Sequence, residues 1–195
     1  MNTSEQYHQP VLEALSAFVR DSTRVPEDHR ANSRAKPRQT DKGDRRPATD
    51  VQAALTVIRR RAAIGTGSPD LSEAHIPYAD LHGADLTHAN LTHANLSAAI
   101  LDDADLHSAD LSGADLSGAI LNAAQQVYAN LSGANLNDAQ LGYANLSGAN
   151  LNDADLSGAN LSDARISQGQ LDQACGTGVK GLDKLSPPLT IKPCP

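Results

Sequence analysis

Five histidines, His75, His82, His88, His93 and His107, crowd one stretch of this 195-residue chain, with Asp102 and several serines among them. Imidazole and carboxylate are ligands that a zinc-type cation takes. Serine, histidine and aspartate are also the parts of a nucleophilic triad. Either chemistry needs three or more groups converging on one point, and a triad also needs a cleft that excludes water. Other motifs say less. "GTGVKG", 176–181, has glycines and a lysine but lacks the GK[ST] ending of a phosphate loop, so it reads as a bend. Cys175 and Cys194 form no CxxC pair. Triplets such as Asn90-Leu91-Thr92 match a glycosylation acceptor only as by-products of repetition.

What must position these residues is a repeat of five. From Leu71 to Leu171 every fifth residue is Leu or Ile, except Gln126. Ala stands two residues before each centre from Ile76 to Ile166. Asp or Asn usually fills the place between, and small polar residues mostly follow. On an extended segment residues two apart point the same way, so Ala and Leu face in while Asp or Asn faces out. The polar residues after each Leu supply a corner. A helix would rotate the apolar position by about 140° per repeat and leave no apolar face. A flat strand would flip it at every repeat, because five is odd. A solenoid that turns a corner every five residues buries all of it. With 3% aromatics, one Phe and no Trp, a core of large rings is excluded.

Repeats such as "ADLSG", "ANLSG" and "ANLND" resemble those of the pentapeptide repeat family, over residues 70–174. The resemblance implies an all-β fold, a right-handed quadrilateral β-helix with four pentapeptides per coil. That makes about five coils, roughly 24 Å tall at about 4.8 Å per coil. Residues twenty apart would stack. His88 then lies on Ser108 and His93 on Gly113, and only His82 meets a ligand type, Asp102. One such pair is too few for a zinc site. The outward corners of a convex rod form no cleft, so no catalytic residue, metal or cofactor is expected and the chain reads as non-enzymatic.

The flanks divide into an amphipathic helix at 1–22, a polar disordered linker at 23–47, a capping helix at 48–64, the solenoid at 70–174 and a capping tail at 175–195. Val11, Leu12, Leu15, Phe18 and Val19 have helical spacing, as do Val51, Ala54, Leu55 and Ile58. Thr49 and Gln52 match a capping box. The linker carries an excess of Lys and Arg but no interleaved aromatics, so direct nucleic-acid binding is not expected. The N-terminal stretch also resembles the segment before the repeats in some bacterial members of the family, where it often follows membrane segments. No apolar run here approaches the roughly 18 residues of a spanning helix, and no signal peptide opens the chain. The expected setting is cytoplasmic, for a shortened relative or an incomplete start. Leu182, Leu185, Leu189 and Ile191 should fold over the last coil. Cys175 and Cys194 would staple that tail in an oxidising compartment and stay thiols in a cytosol.

The functional expectation is a rigid scaffold or protein-interaction module, with an unidentified protein partner or a second copy of itself. The informative residues are apolar ones at outward positions: Ile100 and Ile120, twenty apart, with Val127, Tyr128 and Tyr143 nearby. The alternative is implied by the family, whose fluoroquinolone-resistance members bind DNA gyrase by mimicking DNA. Residues 70–175 hold fourteen acids against a single Arg165, giving an acidic surface, but stacking smears the charge over four faces. Asp alternating with Asn reads as a tolerant exposed position that confers solubility. Gln126 would fall between Leu106 and Leu146 in the core. Its amide could bond to coil backbone, hold a water, or turn out while Val127 turns in. The unbroken repeat favours the backbone bond.

Overall fold

The computed structural model describes residues 5–23, 46–60, 67–185 and 187–195. Most of the expected 23–47 linker lies outside the described residues. Parallel bridges recur every five residues from Asp70↔Asn90 to Asn160↔Lys180, with a gap at Asn150, and each joins a residue to the one twenty later. Four bridges therefore complete one turn of a four-sided coil. The N–H of each centre donates upward, as Leu71 N does to Asn90 O at 2.7 Å, and the bridging residue donates downward, as Asn95 N does to Ala74 O at 2.9 Å. The bridges are single residues rather than strands. With a corner every five residues, one position per face is left to bridge, so the expected all-β fold is poor in strands.

The residue two after each centre turns the corner in the left-handed region, with φ of 58° at Tyr128, 59° at Tyr143 and 70° at Gly148. The preceding Asp or Asn holds that corner. Asp110 Oδ1 accepts from Ser112 N at 3.0 Å, and Asn95 Oδ1 accepts from both Ser97 N and Ser97 Oγ, at 3.0 and 2.7 Å. Inside, the Leu and Ala columns are dry and fully buried from Leu71 to Leu161. Gln126 shares that column with no exposure, and neither Oε1 nor Nε2 has a hydrogen-bond partner. The expected bond to coil backbone is therefore not made. The nearby backbone is already engaged: Gln126 N donates to Asn145 O at 2.9 Å, and Ala129 N donates to Gln126 O at 3.0 Å.

The first coil has no coil beneath it, and two helices stand in. Helix α1 (Glu5–Thr23) buries Leu12 and Val19, and helix α2 (Thr49–Arg59) buries Val51, Ala54, Leu55 and Ile58. Val11 and Phe18 of α1 face outward instead. Each face of the first coil receives at least one contact. Arg20 Nη1 donates to Asp70 O at 2.6 Å, and His75 N donates to Thr23 Oγ1 at 3.1 Å. Gln52 takes Asp80 N on its Oε1 at 3.1 Å and gives Nε2 to Asp80 O at 3.0 Å. Asp85 N donates to Arg59 O at 3.3 Å. The expected Thr49–Gln52 capping box is absent: Ala48 is the N-cap, without a side-chain cap, because Gln52 is spent on the coil edge.

At the far end a short helix α3 (Gln168–Leu171) leaves the coil path, held by a Ser167–Gln170 capping box. Gln170 Nε2 donates to Leu146 O and Ala149 O, at 2.7 and 2.9 Å; Ala149 O is the carbonyl to which a further coil would have donated. Bridges resume at Asp155↔Cys175 and Asn160↔Lys180. The boundary expected after residue 174 thus cuts through the ladder, because backbone pairing continues wherever the chain returns to register. A strap then crosses the end. Leu182 is buried, Leu185, Leu189 and Ile191 pack on the core, and Cys175 is disulfide-bonded to Cys194. No helix among the described residues is long and apolar enough to cross a membrane.

Candidate functional site

The expected surface lies mid-rod. Ile100 bridges Ile120, so the two stack on one face, with Ile100 37% exposed and Ile120 half-buried. Tyr143 and Tyr128, at the next two corners in chain direction, are 69% and 67% exposed, and Val127 is half-buried beside Tyr128. The residues are therefore spread around an edge of the rod rather than gathered in a pocket. Tyr128 is the best supported of them. A Cβ added at Gly148 would meet its ring carbons at 2.6 Å, so the ring rests on a bare backbone one coil up. His107 meets the ring edge-on at 5.8 Å, and His88 meets His107 at 6.1 Å. This string of rings along the edge was not visible in strict twenty-residue stacking. Its members are nineteen and twenty-one apart, one corner position to either side.

Among the described residues, the group of three potential ligand atoms includes no histidine. Asp102, the expected partner of His82, takes the Asn122 amide at 3.1 Å. Among the described residues, the grouping of three ligand atoms lies elsewhere, at Asp155, Cys175 and Cys194. Two open depressions flank the rod ends, one of about 160 Å³ beside Arg20 and Glu73, the other of about 400 Å³ beside Cys175 and Lys192.

Asp and Asn do more at the bridging position than confer solubility. Most are half-buried, Asp80 and Asp105 being exposed, and on two faces they form ladders in which Asn donates down to the coil below. Asn130 Nδ2 reaches Asp110 Oδ1 at 3.1 Å, Asn150 Nδ2 reaches Asn130 Oδ1 at 2.9 Å, and Asn135 Nδ2 reaches Asp115 Oδ1 at 3.1 Å. Alternation places an amide donor over a carboxylate, where two stacked carboxylates would repel. Near the end of one ladder, burial raises the Asp155 carboxyl, but the Ser157 hydroxyl and N–H and the Asn137 amide outweigh it and hold the pKa below the ordinary aspartate value.

The sequence profile of the family Pentapeptide repeats matches in 8 copies, over residues 70–103, 99–138 and 129–168, just over half of the chain. The chain is a pentapeptide repeat protein. Members of this family fold as right-handed quadrilateral β-helices, the coil that the twenty-residue bridges describe. No curated protein matches the chain. Among solved structures it is similar to HetL, a pentapeptide repeat protein involved in heterocyst differentiation regulation in the cyanobacterium Nostoc sp. strain PCC 7120. Identity is 36%, over 57% of this chain and 67% of HetL, with a TM-score of 0.35. A pentapeptide repeat protein of the Arabidopsis thaliana thylakoid lumen is 31% identical over 56% of this chain and 75% of its own, with a TM-score of 0.33. QnrB1, a plasmid-mediated fluoroquinolone resistance protein, is 16% identical over 57% of this chain and 66% of its own, with a TM-score of 0.37. In this pentapeptide repeat protein, sequence reasoning missed the groups that close the ends, above all the Gln52 and Gln170 side chains and the Arg59 carbonyl. Their signal is faint: polar residues with long side chains placed just outside the periodic segment.

Proposed function

We propose that this pentapeptide repeat protein is a non-enzymatic rigid scaffold that binds a protein partner through Ile100, Ile120, Val127, Tyr128 and Tyr143. One observation carries the reading. Tyr128 and Tyr143 stand at corners with φ of 58° and 59°, where a glycine fits without strain, yet each is about two-thirds exposed. Thirteen non-glycine residues among those described take the same corner conformation, so the backbone does not set the two tyrosines apart; the exposure of their large rings does. Tyrosine is also a side chain that protein interfaces favour.

The family's other reading, a gyrase-directed DNA mimic, is supported less. Asp110 and Asp115 are half-buried, and their oxygens already accept from serine N–H groups and asparagine amides of the rod itself. The expected cytoplasmic setting and the Cys175–Cys194 bond pull apart, because disulfides persist mainly in oxidising compartments. The scaffold reading holds in either.

The test is affinity capture with cross-linking from the native host, comparing the wild type with Tyr128→Ser/Tyr143→Ser and with Ile100→Asn/Ile120→Asn. Partners held by the wild type should be lost from both variants while circular dichroism and melting stay the same. Capture that both changes leave intact would sink the assignment of this surface. Inhibition or protection of gyrase supercoiling by purified protein would favour the mimic.

A further inference from the structure

At the C-terminal end the Asp155 carboxylate, Cys175 Sγ and Cys194 Sγ lie within 4.8 Å of one another, all three residues half-buried. The repeat itself brings two of them together. Asp155 and Cys175 are successive members of one bridging column, so Cys175 takes the place that Asn or Asp fills in the coils from Asn95 to Asp155. The strap brings the third. Gly176 N donates to Lys192 O at 2.8 Å, and Gln168 grips Thr190 through both of its amide atoms, which seats Cys194 over the column.

The chemistry at this point departs from the ladder below it. Asp115 receives an amide N–H from Asn135 overhead. Asp155 has sulfur overhead instead, with Oδ1 at 3.1 Å from Cys194 Sγ. A disulfide sulfur carries no proton, so this oxygen faces an atom that cannot donate to it. Asp155 is nevertheless held in place by Ser157 N at 2.9 Å and by the Asn137 amide. A positioned carboxylate beneath two sulfurs is the donor set of a thiophilic cation.

We propose that, once the disulfide is reduced, Cys175, Cys194 and Asp155 bind one zinc-type divalent cation, with water completing the tetrahedron. A dithiol reductant passes two electrons and two protons to the pair: the Sγ–Sγ bond breaks, two S–H bonds form, and the reductant leaves as its own disulfide. The cation then binds two thiolates and one carboxylate oxygen and releases the two thiol protons. Zinc-bound sulfurs stand roughly 3.8 Å apart for a Zn–S bond of about 2.3 Å. Reaching that separation asks Cys194, on the strap, to shift while Cys175 keeps its place in the ladder. The depression of about 400 Å³ walled by Cys175, Asp153 and Lys192 gives solvent and cation a path. Two thiolates exclude calcium and magnesium as the preferred ion.

Cobalt(II) titration of the full chain tests this. The protein is reduced with dithiol, freed of it under anaerobic conditions, and followed by the sulfur-to-cobalt charge-transfer band. The reduced wild type should bind one equivalent, zinc should displace it, and the oxidised protein should show no band. Asp155→Asn, which keeps the oxygen that accepts from Ser157, should weaken binding at least tenfold. Cys194→Ser should abolish the band. Weak binding to the histidines would give no sulfur band, so the two are told apart. The absence of a band in the reduced wild type, through loss of the strap or lack of affinity, overturns the proposal. So does a band that Asp155→Asn leaves unchanged.

Discussion

The two ends of the rod face the same difficulty, a coil edge with unpaired backbone, and meet it differently. At the N-terminal end four residues from two helices, Arg20, Thr23, Gln52 and Arg59, reach the four faces of the first coil, at Asp70, His75, Asp80 and Asp85. At the C-terminal end Gln170 covers one face, and a single strap, pinned by Cys175–Cys194, attaches at Gly176 and Gln168. Load is spread at one end and concentrated at the other. A solenoid's stability is close to a sum of local coil terms, so equal insults at the two ends should have unequal effects.

The largest break in that comparison is loss of the disulfide. Reduction, or Cys194→Ser, frees a loop of about 20 residues and should lower stability by about 3 kcal/mol. Hydrogen exchange should quicken at Leu161 and Lys180, whose amides face the strap region, and stay slow at Asp80 and Asp85. Equal acceleration at both ends would show one cooperative unit and erase the asymmetry. Next in size is the defect between them. Gln126→Leu removes two unpaired buried atoms and should raise stability by about 1–3 kcal/mol, seen as a higher melting midpoint. A lower midpoint would mean that the amide has a partner it needs.

The middle of the rod was legible because its physics is local. Period five, Ala and Leu two apart and a polar corner leave one architecture, and every coil from Leu71 to Leu161 obeys it. The ends were not legible in the same way. Gln52 matched a helix-capping pattern, but a coil edge with open N–H and C=O groups competed for the same amide. Gln126 lay where the pattern put it, yet its hydrogen bonding depended on whether neighbouring backbone was free, which the repeat had already decided. The Asp–Asn ladders were visible as alternation at a spacing of twenty, but their meaning needed the direction of the amide. The Cys–Asp grouping depended on where an aperiodic strap returns, and no period encodes that.

A smaller change sharpens the view of the N-terminal end. Gln52→Ala leaves Asp80 N and O without their helix partner at an exposed edge, and should cost about 1 kcal/mol. The amide of Asp80 should exchange faster while that of His75, held by Thr23, does not. Loss at both positions would mean that the helices dock as one unit, and that the load there is not spread after all.

The smallest effect concerns acid, and it acts at the C-terminal end. Burial raises the Asp155 carboxyl, while Ser157 and Asn137 bind the ionised form more strongly and bring its pKa below the ordinary 3.8. A carboxyl lowered by folding is bound by protons more readily when the chain is unfolded, so stability depends on its ionisation. That contribution is complete above the unfolded value and disappears as pH falls through the folded one. Melting midpoints of the oxidised protein, taken from about pH 5 downward, should therefore drop more steeply for the wild type than for Asp155→Asn, which cannot ionise but keeps the acceptor for Ser157. Parallel limbs would mean that Ser157 and Asn137 serve only to shape the corner. A steeper wild-type limb, together with faster exchange at Lys180 and unchanged exchange at Asp80, would locate the first acid-sensitive opening beneath the strap, where the carboxylate, the two sulfurs and the last bridge meet.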